Sequence, residues 1–112
     1  MLQIEREADR ITVGTVQVPT LDAANVRAFK KELAAVGEPT PVLLLDLSRV
    51  EFIDSAGLGA LMSALRAVSS SGGDLKLCGL SSAVRYVIEI VRMHKIVDVY
   101  NDRAEALRAL QS

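Results

Sequence analysis

Val42-Leu43-Leu44-Leu45 is an unbroken apolar run, and it limits the fold more than any other stretch of the chain. A strand with one wet face alternates apolar and polar residues. A run without alternation belongs to a strand covered on both faces, as in a parallel sheet. It is too short between its breakers for a buried helix. The run leads through Asp46-Leu47-Ser48-Arg49-Val50-Glu51-Phe52-Ile53 into Asp54-Ser55-Ala56-Gly57-Leu58-Gly59-Ala60-Leu61-Met62, where apolar residues take up helical spacing.

Asp54 is the expected N-cap of that helix, with Ile53 and Leu58 as the hydrophobic staple pair. Leu58, Leu61, Met62, Leu65 and Val68 make its apolar stripe, and Ser69-Ser70-Ser71-Gly72-Gly73 ends it. Ser55 then stands at the open end of a helix, among N–H groups that lack intrahelical partners and where the dipole favours negative charge. An exposed hydroxyl at such a point is a natural place for a phosphoryl group. Gly57 and Gly59 are expected to keep the helix start bare, so that a partner backbone can approach Ser55.

The rest of the chain arranges itself around this joint. Residues 2–6 and 10–18 read as a hairpin turning at Ala8-Asp9. Its second strand changes phase from Ile11 and Val13 to Val16 and Val18, which predicts a bulge at Gly14-Thr15, and Pro19 ends it. A first helix is predicted from an Asp22 N-cap with a Leu21–Val26 staple, burying Val26, Phe29, Leu33 and Val36. Gly37 stops it, and Pro39-Thr40-Pro41 makes a stiff connection. Leu75-Lys76-Leu77-Cys78 reads as a strand, and a third helix opens at Ser81 or Ser82 with Val84, Val87, Ile88 and Val91 inward. Tyr86, Ile90 and Met93 widen that apolar face, which means deep burial or a sticky edge. Ile96–Tyr100 reads as a last strand, and Asp102-Arg103-Ala104-Glu105 has the shape of a capping box opening a helix through Leu110. The order ββαβαβαβα implies right-handed parallel crossovers with an antiparallel N-terminal member. The expectation is one α/β domain over residues 1–112, with a mostly parallel sheet and about four helices.

This stretch, strand, Asp-Ser-x-Gly-Leu-Gly, helix, with Leu45–Ile53 before it, resembles the signature of the STAS domain family (sulfate transporter and anti-sigma factor antagonist). It closely resembles the free-standing bacterial anti-sigma factor antagonists, over Val16 to Leu110, and implies the STAS fold. The resemblance implies a binding protein and not an enzyme. Unphosphorylated, such a domain docks an anti-sigma factor that is also a serine kinase of the histidine-kinase-like ATPase fold, and so frees a sigma factor. Phosphorylation of the serine after the aspartate, here Ser55, releases the partner, and a separate phosphatase resets the domain. The implied partner face comprises Asp22, Asp54, Ser55, Ala56, Gly57, Leu58 and Gly59. Two positions depart from the family pattern. Ala56 replaces a common Ser or Thr, leaving Ser55 as the only hydroxyl of the motif, and Pro19-Thr20 replaces a glycine-containing approach to Leu21. The same fold also serves as a cytoplasmic subunit of lipid ABC transporters and in other partner-switching complexes, which is the alternative reading.

Composition removes several other classes. Thirteen basic and fourteen acidic side chains leave a net charge of −1, without the basic excess of a nucleic-acid-binding protein. No apolar run approaches the roughly 20 residues of a membrane span. The N-terminus is too polar for a signal peptide, and the single cysteine, Cys78, allows no internal disulfide, so the expected location is the cytoplasm. Cys78 reads as a small core residue and His94 as a helix-end cation. Asp46 and Asp54 flank one strand-to-helix junction, which keeps a small phosphohydrolase or nucleotide-binding enzyme as a rival. A Mg²⁺ site would want further carboxylates or substrate phosphates, and the chain has no Gly-rich loop ending in Gly-Lys-Ser or Gly-Lys-Thr. No metal or cofactor is expected.

Overall fold

The structure, a computed structural model, describes residues 1–36 and 41–111. Strands β1 (Leu2–Ala8) and β2 (Ile11–Val16) form the antiparallel hairpin, followed by a two-residue strand β3 (Thr20–Leu21) and helix α1 (Val26–Ala34). Then come β4 (Val42–Asp46), a second two-residue strand β5 (Phe52–Ile53) and the long helix α2 (Ser55–Ser70). The chain continues through β6 (Asp74–Cys78), α3 (Ser82–Ile90), a 3-10 turn at Met93–Lys95, β7 (Val99–Tyr100) and α4 (Arg103–Gln111). The main sheet has the order β1-β2-β4-β6-β7, and every pairing except β1–β2 is parallel. Among the described residues the expected mixed α/β fold, mostly parallel with one antiparallel hairpin and four helices, is the one observed.

The apolar run explains the layering. Leu43 and Leu45 face a core shared with Phe29 of α1, Ala60, Leu61 and Ala64 of α2, and Val84 and Ile88 of α3. Leu44 faces the other way, into a smaller core with Ile11, Val13, Cys78 and Ala106 of α4. Three helices thus cover one face of the sheet and one helix covers the other, as an unalternating central strand requires. Arg103 ties α4 to the hairpin through Glu5, at 3.2 Å, and Glu7.

Several boundaries differ from the periodicity. The bulge expected at Gly14-Thr15 is absent: Gly14 pairs with Ile4 and Thr15 with Gln3 in register, and the irregularity lies between Arg6 and Ala8. All of β2 is buried, so residues of both phases are inside and no bulge is needed to hide them. Helix α1 does not start at Asp22. Its N-cap is Asn25, because the Asn25 side chain reaches back to accept from the Asp22 N–H (2.9 Å) and to donate to the Thr20 carbonyl (2.7 Å). Those bonds hold 22–25 as a separate turn. The expected stop at Gly37 and the Pro39-Thr40 part of the connection lie outside the described residues. On α2 the most deeply buried residues are Leu61 and three small ones, Gly57, Ala60 and Ala64, while Leu58, Met62, Leu65 and Val68 are half-buried at the edges of the stripe. The last strand is shorter than Ile96–Tyr100, and Ile96 points into solvent. Asp102 does cap α4, its carboxylate accepting from the Glu105 N–H at 2.8 Å.

Candidate functional site

The two-residue strands carry no alternation, so periodicity misses them, yet they build the site. β3 and β5 form a separate parallel pair, Thr20 beside Phe52 and Leu21 beside Ile53. The Pro19 carbonyl accepts from the Glu51 and Phe52 amides at 2.7 and 3.2 Å, and the Leu21 carbonyl from the Asp54 amide at 3.3 Å. This small ladder lays the turn that carries Asp22 alongside the start of α2. On the other side, Ser81 Oγ donates to the Glu51 carbonyl at 3.1 Å, so the start of α3 is fastened to the same segment.

Asp54 is the expected N-cap and does more than cap. One carboxylate oxygen accepts from the Gly57 N–H at 2.8 Å; the other accepts from the Ala23 N–H at 3.2 Å. One side chain therefore closes the α2 start and holds the Asp22 turn against it. The Gly57 amide is the main cause of a pKa held below the ordinary 3.8, with the Ala23 and Ala56 amides adding to it. Because the folded value is depressed, the stabilisation is present above the unfolded value and disappears as pH falls through the folded one. Asp54→Asn keeps the shape but presents one carbonyl oxygen and an NH2 group. The stability gap between wild type and this variant, from urea midpoints, is expected to be largest at pH 7 and to shrink below about pH 4. An equal gap at pH 7 and pH 3 would contradict the bridging role.

Ser55, the first residue of α2, is exposed, and among the described residues no partner engages its hydroxyl. Ala56 and Leu58 are half-buried beside it. The two glycines part company here. A Cβ on Gly57 would lie 2.1 Å from the Leu21 carbonyl oxygen, whereas a Cβ on Gly59 would meet nothing within 4 Å. Gly59 keeps the surface bare as expected; Gly57 does not, because the space above it is filled by β3. Asp22 accepts from the Ala24 N–H at 2.9 Å within its own turn. Asp22, Asp54, Ser55, Ala56, Leu58 and Gly59 are thus gathered at one joint, with Gly57 beneath. The residues that sequence reasoning missed are Pro19, Leu21, Ala23 and Asn25. The available signal was the Asp22-Ala23-Ala24-Asn25 spacing, which suits a side-chain-closed turn.

The other titratable candidates lie elsewhere or act locally. Asp46 is buried at the end of β4, where it accepts from the Ser48 N–H at 2.9 Å. Gly79, at φ +73, passes so close that an added Cβ would sit 3.2 Å from Asp46 Oδ1. Among the described residues there is no group of three or more His, Cys, Asp or Glu arranged to hold a metal ion. Cys78 is fully buried, and burial, with Asp46 nearby, pushes its thiol up to about 12, so it stays protonated and unreactive at neutral pH. His94 lies in the 3-10 turn and not at the end of α3. Its Nδ1 is buried with no hydrogen-bond partner among the described residues.

A small second ladder, an exposed serine at a capped helix start and the Asp22 turn bonded beside it are the distinguishing features of this α/β fold. Residues 5–106 match the STAS domain family, and the chain belongs to it. It is 41% identical over 93 residues to a Thermotoga neapolitana protein described as an anti-sigma factor antagonist homolog, covering 81% of this chain and 82% of that one. It is 28% identical over 102 residues to the anti-sigma-B factor antagonist of Listeria monocytogenes, covering 90% and 88%. An anti-sigma factor antagonist from Mycobacterium paratuberculosis superposes with a TM-score of 0.85 at 26% identity, covering 100% of this chain and 94% of that one. Among the described residues no helix is long and apolar enough to cross a membrane.

Proposed function

We propose that this chain is an anti-sigma factor antagonist that docks its partner through the joint of Asp22, Asp54, Ser55, Ala56, Leu58 and Gly59. The partner is an anti-sigma factor with serine kinase activity on an ATPase-type fold. Its capture releases a sigma factor, phosphate on Ser55 ends the complex, and a phosphatase restores the docking form. The chain is substrate and ligand in this cycle and performs no catalysis. The observation that carries the reading is the exposed Ser55 hydroxyl at the first position of α2, with the Asp22 turn held beside it by Asp54. The relatives named as antagonists support the partner class.

A pull-down from the native cell with wild type and Ser55→Asp tests it. Wild type is expected to recover an ATPase-fold kinase and the Asp variant far less of it. Recovery of a permease with its transport ATPase, in equal amounts by both baits, would replace this reading with the transporter one. Gly59 supplies a second check. Gly59→Val adds bulk where the surface is open, so it is expected to melt within a few degrees of wild type while binding the kinase about tenfold or more weakly. A collapsed melting temperature, with the folded remainder binding normally, would make Gly59 a packing residue.

A further inference from the structure

Helix α3 and the turn after it present a second set of exposed side chains, none of them a residue of the Ser55 joint. Val84 and Ile88 enter the core, but Tyr86 and Ile90, four residues apart and so on one face, are 66% and 60% exposed. Val91 at the C-cap is 45% exposed, and Ile96 beyond the 3-10 turn is 61% exposed. Four large apolar side chains within the eleven residues from Tyr86 to Ile96 therefore stand in water, a density that suits an interaction surface. Interleaved with them are three cations, Arg85, Arg92 and Lys95, and one acid, Glu89. None of these four makes an ion pair among the described residues. Arg92 adopts the left-handed conformation (φ 63) that turns the chain from α3 into the 3-10 segment.

We propose that this face is a docking surface for an acidic amphipathic helix of a partner protein. Tyr86, Ile90, Val91 and Ile96 seat its apolar side, and Arg85, Arg92 and Lys95 pair with its carboxylates. Charge selects this occupant. A second copy placed about a twofold axis would bring the same three cations toward one another. An anionic bilayer would gain little, because membrane binding scales with the apolar area buried and only one flank of a nine-residue helix is free to insert. An acidic amphipathic helix complements the strip and its rim together. The surface needs no residue of the Ser55 joint, so it stands in either phosphorylation state and independently of the partner class proposed above.

The test is an amide-shift titration of the whole chain with three helical peptides that share one apolar face and carry Glu, Gln or Lys at the flanking positions. The Glu peptide is expected to move resonances between residues 85 and 96 and to bind about tenfold or more tightly than the Gln peptide, with the Lys peptide weakest. Tyr86→Ser and Ile90→Ser, both at exposed positions, are each expected to weaken the Glu peptide about tenfold without lowering the melting temperature. Lys95→Glu is expected to erase the preference for the Glu peptide. Equal affinity for all three peptides, or shifts that avoid residues 85–96, would overturn the proposal, as would silence at millimolar peptide. Concentration-dependent self-association mapping to Tyr86 and Ile90 would overturn it in favour of a second copy. Sedimentation with phosphatidylglycerol vesicles, with no preference among the peptides, would overturn it in favour of a membrane.

Discussion

Phosphorylated on Ser55, the domain is expected to bind its anti-sigma factor about thirtyfold more weakly than the unmodified form while melting at nearly the same temperature. The phosphate adds about −1.5 to −2 charges and three acceptor oxygens. Within the free domain it sits at the positive end of α2, which tolerates anions. The Gly57 and Ala23 amides are already taken by Asp54, so the new charge has its outlet toward the docking surface. There it meets whatever carboxylates and desolvated groups the partner presents. Like charges brought together across an interface cost up to several kcal/mol, and after screening at an exposed serine a penalty of about 2 kcal/mol corresponds to thirtyfold. Calorimetric affinities, melting curves and amide shifts for the two forms check this. Shifts confined to the Ser55 joint and the adjoining Asp22 turn, with near-equal melting and weaker binding, are the expected set. Equal affinities, or shifts spread through the main sheet, would contradict release by local charge.

Gly57→Ala should be the most damaging small substitution at the site. The added methyl would fall 2.1 Å from the Leu21 carbonyl oxygen and 2.9 Å from its carbon. That oxygen is main chain and already accepts from Asp54, so it cannot swing aside as a side chain end would. Either β3 or the first turn of α2 must retreat, which strains the Asp54 bonds to Gly57 and Ala23. Overpacking of this kind costs about 2 to 3 kcal/mol, more than the helix-propensity gain of Ala over Gly returns. For a domain of this size that is about 10 °C in melting temperature. Urea and thermal unfolding of the variant measure it, and an unchanged midpoint would show that the joint is softer than the close approach implies.

How much of this was visible beforehand depends on whether the cause was local. The unalternating run of β4 and the Asp54 cap are written in adjacent residues, and both are legible with nearly their observed bounds. The start of α1 is not legible in the same way, because Asp22 and Asn25 are both good capping residues. The choice between them depends on the local Asn25 bond back to Thr20 and on the Asp54 bond to Ala23, a contact made across the fold. β3 and β5 are two residues each and owe their existence to one another, so neither carries a pattern of its own. Gly57 and Gly59 are alike in the sequence and opposite in the structure, because only one lies under β3. The ambiguity over Tyr86, Ile90 and Met93 was real: Met93 turned inward and the other two outward.

Ser55 is proposed as the residue whose covalent state governs docking. Phosphosite mapping after incubation with the recovered kinase and ATP tests it most directly. One phosphate is expected, on Ser55, and none on the Ser55→Ala variant. A phosphate on Ser48, Ser63 or Ser81 with Ser55 unmodified would contradict it.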